Sequence, residues 1–247
     1  MKIREIKNKI KETVSLTLLD SGFTFYHFGF YCHATELIKV IHLQHFDTNM
    51  ASQLGTNTAS FSIRLGIFYN FIPLQYEIAR NEDKGVLLPK EYECHIRRTL
   101  LRDFKQEAKG KDPLNIDRET KRDILKYLEK FPNLKPKKNN QLFTDSQDLR
   151  DIWYVENDGS NLDIIIEGIK RVIFKEGMKW FEKFSDFTYT YKYLRQKQEN
   201  DYAFNFGTRD SPARNYLLGY FARRLGKEKE AKVYLSKAKN LVLQENI

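Results

Sequence analysis

The fold is decided by the stretch SFSIRLGIFYN, residues 60–70. Its large apolar side chains recur at every second position, from Phe61 to Tyr69. Successive side chains of a β-strand point to opposite faces, so a period of two predicts a strand with one face on the core. The other face, which includes Arg64, is predicted to meet water or another layer of the protein.

Four further segments are rich in the β-branched and aromatic residues that favour strands. They are residues 23–31, 36–46, 92–97 and the short apolar piece 152–155. The polar residues 49–58 predict a loop. Together these segments predict an antiparallel sheet of about five strands.

Helices are predicted at both ends of the chain. Apolar residues between Ile3 and Leu18 recur at spacings of three and four, which places them on one face of a helix. Ser160 to Asp163 resembles a capping box that opens another helix. Two closing helices, about 212–225 and 227–243, are joined at Gly226. The predicted class is therefore α+β, with an N-terminal helix and a C-terminal helical layer on the sheet.

The chain is predicted to hold two parts. Residues 1–195 form an α+β domain, and residues 196–247 form a basic helical hairpin packed on it. Within the first part, residues 117–131 predict a helix. The following residues 132–140 contain two prolines, which predicts an exposed loop and leaves its order open.

Positive charge is concentrated near the C-terminus. Residues 1–169 carry 25 Lys and Arg against 24 Asp and Glu, a balance of +1. Residues 170–247 carry 17 against 9, a balance of +8. An asymmetry of this kind concerns partners rather than the fold.

Composition predicts a cytoplasmic protein without a membrane partner. The first residues lack the apolar region of a signal peptide, and no stretch approaches the roughly 18 apolar residues of a spanning helix. Cys32 and Cys94 are the two cysteines and lie in predicted strands. We interpret them as buried thiols of a reducing compartment.

Several short motifs between residues 3 and 195 occur in a recognisable order. They are Gly22-Phe23, Leu43-Gln44, Leu65-Gly66-Ile67, Glu93-Cys94-His95-Ile96-Arg97, Ile152-Trp153 and Trp180-Phe181-Glu182-Lys183-Phe184. This order resembles the bacterial domain-of-unknown-function family numbered 4304, although residues 105–150 are longer than the family's usual connection. The resemblance implies a bacterial α+β protein and brings no activity or catalytic residues.

Small residues near the C-terminus carry a second resemblance. Leu218-Gly219, Ala222, Gly226, Ala231 and Ala238 are spaced as in one tetratricopeptide repeat. Small residues at such positions let two antiparallel helices approach closely. An ordinary helical hairpin with alanines at these positions is the alternative.

Polar residues on the predicted strands form a candidate binding site. If neighbouring strands pair in register, Arg64, His95 and Arg97 share a polar sheet face. Whether His42 and Gln44 join them is left open, because both faces of their strand are rich in apolar residues. Such a face can bind an anionic group through bidentate arginine contacts. The alternative is a covered or solvated face with local ion pairs to Glu93.

No catalytic, metal or cofactor site is predicted. The five histidines lie within the first 95 residues, but they show neither HExxH nor a paired HxH spacing. GxSxG, the P-loop and GxGxxG are also absent from the sequence.

The basic residues of the closing helices form a second candidate surface, which comprises Arg223, Arg224, Lys229, Lys232 and Lys239. An acidic protein surface is the first predicted partner, since complementary charge raises the rate of association. Nucleic acid bound through its phosphates is the second. A solvated helix face without a partner is the third interpretation.

Three functional hypotheses follow. The first is a non-enzymatic interaction protein, with a bacterial immunity or defence-associated role as a guess by association. The second is a nucleic-acid-associated factor that uses the C-terminal helices. The third is an enzyme of unrecognised type.

Overall fold

The computed structural model describes residues 2–27, 29–53, 57–73, 78, 80, 85–101, 152–196 and 211–245. The predicted helix 117–131 and the predicted loop 132–140 lie outside these residues.

The structure contains one sheet of five antiparallel strands in chain order, each beside the next. The strands are β1 (Thr24–Tyr26), β2 (Gly29–His33), β3 (Leu37–His45), β4 (Phe61–Tyr69) and β5 (Ile96–Leu100). The predicted α+β class and the strand 60–70 are confirmed. β4 is more buried than predicted, because Arg64 is its one residue that is not buried.

Seven helices are described. They are α1 (Ile3–Leu19), α2 (Thr48–Gln53), α3 (Leu162–Val172), α4 (Met178–Ser185), α5 (Phe187–Gln196), α6 (Pro212–Arg224) and α7 (Glu228–Glu245). A π-helical turn, Ile173–Gly177, joins α3 to α4. The predicted N-terminal and closing helices are confirmed.

Three strand predictions need correction. The segment 23–31 forms two strands, because the chain reverses at His27, whose φ of 28° lies in the left-handed region. The segment 92–97 becomes strand only at Ile96, because residues 91–93 form a 3-10 turn. The piece 152–155 forms no full strand and pairs with β4 through one bridge between Phe61 and Trp153.

Two further local predictions are also wrong, one of a loop and one of a helix cap. The polar segment 49–58 contains most of α2, which begins where the Asp47 carboxylate accepts the Met50 N–H at 2.8 Å. The helix after Ser160 lacks the predicted capping box. Instead, the Asn161 side chain donates to the Tyr154 carbonyl and accepts the Glu156 N–H, both at 2.9 Å. The Asn161 side chain therefore stabilises the segment before the helix and does not cap the helix itself.

The chain divides into two compact units. The first comprises Met1–Gly22, Leu43–Ile63 and Thr99–Glu176, and the second comprises Phe23–His42, Arg64–Arg98 and Gly177–Ile247. The predicted boundary at residue 196 falls at the end of α5, beside residues outside the description.

In the first unit, α1 packs on α3. The buried side chains of α1 are Ile6, Ile10, Val14 and Leu18, as their spacing predicts. At the surface, the Lys9 ammonium group lies 3.0 Å from the Asp163 carboxylate. Trp153 is fully buried and stacks on the Phe61 ring at 6.4 Å.

In the second unit, an aromatic cluster joins β4 to the helices. Phe221 of α6 is fully buried, and its ring centroid lies 4.8 Å from that of Tyr69 and 5.3 Å from that of Phe71. The Tyr69 hydroxyl donates to the Phe184 carbonyl at 2.7 Å. This cluster fixes α6 against the strand that carries Arg64.

The hairpin of α6 and α7 depends on small residues, as the sequence predicts. A Cβ on Gly219 would lie 2.6 Å from Leu235 Cγ, so only glycine permits this approach. Between the helices, Gly226 adopts a φ of 73°, and the Lys227 N–H caps the Ala222 carbonyl at 2.9 Å. Glycine after a helix end suits this left-handed conformation.

Candidate functional site

The strands of the second unit carry three predicted basic residues, two of which lie opposite each other. The Asn70 N–H donates to the Glu36 carbonyl at 2.9 Å, which sets the register of β3 and β4. Because the two strands are antiparallel, the residue six positions before Asn70 lies opposite the residue six positions after Glu36. This register places Arg64 opposite His42. β5, the next strand of the sheet, carries Arg97.

A carboxylate that the sequence analysis did not single out completes this group. Glu91 lies in the 3-10 turn before β5. Burial raises the pKa of Glu91 above its ordinary value, and the charges of Arg97 and Arg64 oppose that rise. The positive charges of both guanidinium groups therefore favour the ionised form of the Glu91 carboxylate. We call His42, Arg64, Glu91 and Arg97 the arginine cluster.

The environment keeps His42 neutral at physiological pH. Burial lowers the pKa of His42, and the positive charge of Arg64 lowers it further. All four members of the cluster are half-buried. The cluster thus combines two permanent cations with one carboxylate and one neutral histidine.

Glu93, the predicted counterion, has a local backbone role. Its carboxylate accepts the Lys90 N–H at 2.7 Å and so closes the 3-10 turn. The charges of Arg64 and Arg97 therefore act on Glu91. Glu93 instead stabilises the turn that contains Glu91.

His95, another predicted site residue, makes a hydrogen bond that supports the sheet. Its Nδ1 accepts the Tyr69 N–H at 2.9 Å, and its ring lies 4.5 Å from that of Phe68. Burial lowers the pKa of His95 to about 4. A neutral ring is required, because a protonated Nδ1 cannot accept this bond. Gln44, the remaining predicted residue, lies on β3 in the first unit and is half-buried.

Two other histidines contact backbone carbonyls rather than an N–H group. His33 Nε2 lies 2.9 Å from the Leu87 carbonyl oxygen, and His45 Nδ1 lies 3.0 Å from that of Ala59. Within the described ranges, no group of three or more His, Cys, Asp or Glu side chains is placed to hold a metal ion.

Both cysteines are free thiols, as predicted. Cys94 is buried, and burial raises its pKa well above the ordinary value, so the thiol is neutral. It packs against Gly66 of β4, where an added Cβ would lie 2.7 Å from Cys94 Cβ. Cys32 is half-buried, less than predicted.

The structure separates the five residues of the predicted basic surface. Arg224 binds the Glu36 carboxylate through two bonds, of 2.7 and 2.8 Å, and its guanidinium lies 5.7 Å from the Phe187 ring centroid. Arg223 lies over the Tyr220 ring at 5.4 Å. Both arginines are therefore engaged within the second unit.

The three lysines of α7 differ from these arginines. Lys229, Lys232 and Lys239 are exposed on one face of the helix, opposite the buried Ala231 and Ala238. In the part of the chain that the structure describes, no carboxylate lies within ion-pair distance of any of the three. We call them the lysine stripe.

A neighbouring lysine shows what internal pairing looks like. Lys227 Nζ lies 3.3 Å from the Glu230 carboxylate, which also accepts the Tyr191 hydroxyl at 2.6 Å. Arg195 lies 3.3 Å from the same carboxylate. The acidic residue on this side of α7 is thus already shared among internal partners.

Comparison with known proteins adds no functional information. The chain matches no protein-family model, no curated protein and no solved structure. The resemblances to the family numbered 4304 and to a tetratricopeptide repeat stay predictions. Across the described helices, none has both the length and the apolar character needed to cross a bilayer.

Proposed function

We propose that this protein is a non-enzymatic binding protein that recognises an acidic surface of a partner protein through the lysine stripe. The observation that carries the proposal is the exposure of Lys229, Lys232 and Lys239 on one helix face, with no described carboxylate in ion-pair range. Three basic residues before the stripe, Arg223, Arg224 and Lys227, are engaged by an aromatic ring, by Glu36 and by Glu230.

The stripe has the properties of an electrostatic docking surface. It lies on an ordered helix that Gly219 and Ala222 allow to pack tightly on α6. It also belongs to the part of the chain with a balance of +8. A fixed row of cations accelerates association with a complementary acidic surface and sets its orientation.

The small number of cations in the lysine stripe favours a protein over duplex DNA. A duplex-binding protein commonly makes about 6 to 10 phosphate contacts, each of which releases a counterion. Three lysines would give a salt slope of only about −2.7 in log K against log salt. Arg224, at the end of the neighbouring helix α6, is held by Glu36.

A matched pair of variants tests the proposal. The stripe variant combines Lys229→Glu, Lys232→Glu and Lys239→Glu. The control variant reverses Lys179, Lys183 and Lys192, three lysines exposed on α4 and α5. Both change the net charge equally. Surface substitutions of this kind are expected to alter the free energy of unfolding by no more than about 0.5 kcal/mol each.

Binding is measured by fluorescence anisotropy with two probes, a labelled poly-L-glutamate peptide and a labelled random-sequence duplex. We expect the stripe variant to lose at least about tenfold in affinity for the peptide, or about 1.4 kcal/mol. The control variant should keep most of the wild-type affinity.

Two results would contradict the proposal. Equal losses in both variants would show that net charge alone attracts the peptide. Tighter binding of the duplex, with a salt slope steeper than three phosphate contacts allow, would identify nucleic acid as the partner.

A further inference from the structure

We propose that the partner recognised by the lysine stripe is an acidic segment that carries an aromatic side chain between its carboxylates, and that this side chain packs against Tyr216 and Tyr220 of α6. The inference rests on the proposed function and adds an apolar anchor to its electrostatic surface. We call Tyr216, Tyr220 and Arg223 the tyrosine row.

The tyrosine row is a continuous line of flat side chains along α6. Its members follow one another at spacings of four and three residues, so they lie on one face of the helix. The ring centroids of Tyr216 and Tyr220 lie 4.8 Å apart, and Arg223 Cζ lies 5.4 Å from the Tyr220 ring centroid. Both tyrosines are half-buried and Arg223 is exposed. The row is therefore ordered by its own contacts and reaches the surface.

The packing of α6 on α7 brings the tyrosine row and the lysine stripe to the same side of the hairpin. Gly219 and Leu235 meet where the two helices touch. Each residue advances a helix by about 100°, which places the tyrosine row about 40 to 100° round α6 from Gly219. Lys232 and Lys239 lie about 40 to 60° round α7 from Leu235, in the same sense of rotation. Because the two helices run in opposite directions, equal senses of rotation point to one side of the pair.

The opposite side of the hairpin is covered by the rest of the second unit. Phe221 of α6 packs on the Tyr69 ring of β4, and Glu230 of α7 accepts the Tyr191 hydroxyl of α5. The side that carries the tyrosine row instead has exposed basic side chains on both helices. The observed burial therefore agrees with the positions derived from the helical turn.

The row and the stripe also match along the hairpin. Counted from the contact between the helices, Tyr216 lies at the level of Lys239, and Arg223 lies at the level of Lys232. Seven residues separate the ends of each group, which is about 10 Å of helix. An extended segment covers this distance with about three or four residues. The surface therefore fits a short segment of a partner protein.

The chemistry of the surface defines that segment. Tyrosine and arginine dominate the binding energy at the centre of protein interfaces, and charged side chains form the rim. The contact of Arg223 with Tyr220 uses the flat face of the guanidinium, so the fork of N–H donors at its edge is oriented towards a carboxylate without being consumed. An aromatic side chain gains contact area against the two tyrosines, while its acidic neighbours face the lysines of α7.

Single-stranded nucleic acid is the competing occupant, because it also combines flat rings with negative charge. Stacking of a base requires an open ring face. One face of Tyr220 meets Arg223, and the Tyr216 ring packs on Tyr220 at an angle of 59°. These half-buried rings present edges, which favour a protein side chain over a stack of bases.

Two labelled peptides of equal charge measure the contribution of the tyrosine row. Both are rich in glutamate, and one has a central tryptophan where the other has serine. Fluorescence anisotropy should show that wild-type protein binds the tryptophan peptide about tenfold more tightly, since an aromatic pair contributes beyond the area that it buries. The stripe variant should lose affinity for both peptides.

Tyr220→Gln should remove most of this preference and leave binding of the serine peptide unchanged. Tyr189→Gln is the matched control, because Tyr189 is 37% exposed on α5 and its ring also packs on a tyrosine four residues away, Tyr193, at 6.0 Å. The control should keep the full preference for tryptophan. Tyr220→Phe retains the ring and should keep it as well.

NMR spectra of wild-type protein labelled on tyrosine locate the peptide without any substitution. The tryptophan peptide should shift the ring signals of Tyr216 and Tyr220 and leave that of Tyr189 unchanged. Shifts at Tyr189, or none in the tyrosine row, would overturn the inference even if Tyr220→Gln does not fold.

The outcomes separate this inference from the proposed function. Equal binding of both peptides, weakened only in the stripe variant, rejects the aromatic anchor and retains the acidic partner. Failure of both peptides to bind rejects the two proposals together. Tighter binding of a labelled oligothymidylate than of the tryptophan peptide, lost in Tyr220→Gln, assigns the surface to single-stranded nucleic acid and also overturns the inference.

Discussion

Two groups of basic residues in the second unit lie in different environments. On the sheet and at the end of α6, Arg64, Arg97 and Arg224 act on carboxylates that the fold supplies, Glu91 and Glu36. On α7, the lysine stripe extends into solvent. Cations of the first kind contribute to the folded structure, whereas those of the second kind are available to a partner.

The net charge of +8 in residues 170–247 therefore overstates the charge that a partner can reach. Formal charge counts Arg224 and Lys232 alike, yet the first is fixed by two hydrogen bonds to Glu36. Free side chains keep their rotational freedom and full Coulomb reach, at no cost to folding. The charge available for recognition is therefore smaller and more localised than the count suggests.

The comparison assumes that strands and helices of the second unit form one cooperative structure, and Phe221→Ala tests this most severely. The ring is fully buried among Tyr69, Phe71 and Phe187. Truncation should lower the free energy of unfolding by about 3 to 5 kcal/mol, from lost transfer energy and the cavity left behind. Chemical denaturation followed by intrinsic fluorescence measures the loss.

Phe174→Ala makes the same chemical change at a ring that is 39% exposed. Its loss should be clearly smaller, since less apolar area returns to water. Similar losses for both variants would contradict the packing of α6 on β4.

Much of the fold could be predicted because it rests on short-range periodicity. The alternation in residues 60–70 and the spacing from Ile3 to Leu18 each identify a buried face. The reversal at His27 was missed because the surrounding aromatic run contains no Asn-Gly or Asp-Gly signal. Asp47 offered a helix-capping signal that the sequence analysis overlooked.

The site was harder to predict, since it depends on register and on an irregular turn. Strand parity pointed to Arg64, His95 and Arg97 and left His42 open. The backbone bond between Asn70 and Glu36 places His42 opposite Arg64. Glu91 follows no periodic pattern because it lies in a 3-10 turn. The hydrogen bond of His95 to a neighbouring strand depends on tertiary contacts, which sequence spacing does not encode.

A second prediction concerns the pH dependence of stability. His95 is neutral in the folded protein down to about pH 4, whereas an unfolded histidine takes up a proton near pH 6.5. Between these values the unfolded state binds more protons, so stability falls as pH falls. The loss attributable to His95 should be roughly 3 kcal/mol, at about 1.4 kcal/mol for each pH unit between the two pKa values.

His95→Asn is the matched control for this effect. Asn Oδ1 can accept the Tyr69 N–H but does not titrate in this range. The difference between the denaturation profiles of wild type and His95→Asn isolates His95 from His42, which titrates in both proteins. Parallel profiles from pH 7 to 4 would show that His95 is not held neutral.

The smallest expected effect concerns the ion pair of Glu36 and Arg224. The hydrogen bond from Arg224 is the main reason that the pKa of Glu36 is lowered. The pair therefore stabilises the fold above the unfolded pKa of a glutamate, and this contribution is lost as pH falls through the lowered value. Because both side chains are exposed, water and salt screen the attraction.

A double-mutant cycle with Glu36→Gln and Arg224→Gln measures this coupling through melting temperatures. We expect a small coupling at low salt that vanishes at high salt or acidic pH. A second cycle with Glu36→Gln and Lys232→Gln is the control and should show no coupling. Equal coupling in both cycles would erase the distinction between engaged and available cations. Coupling confined to Arg224 would establish that Arg224 serves the fold, whereas the lysines of the stripe stay accessible to a partner.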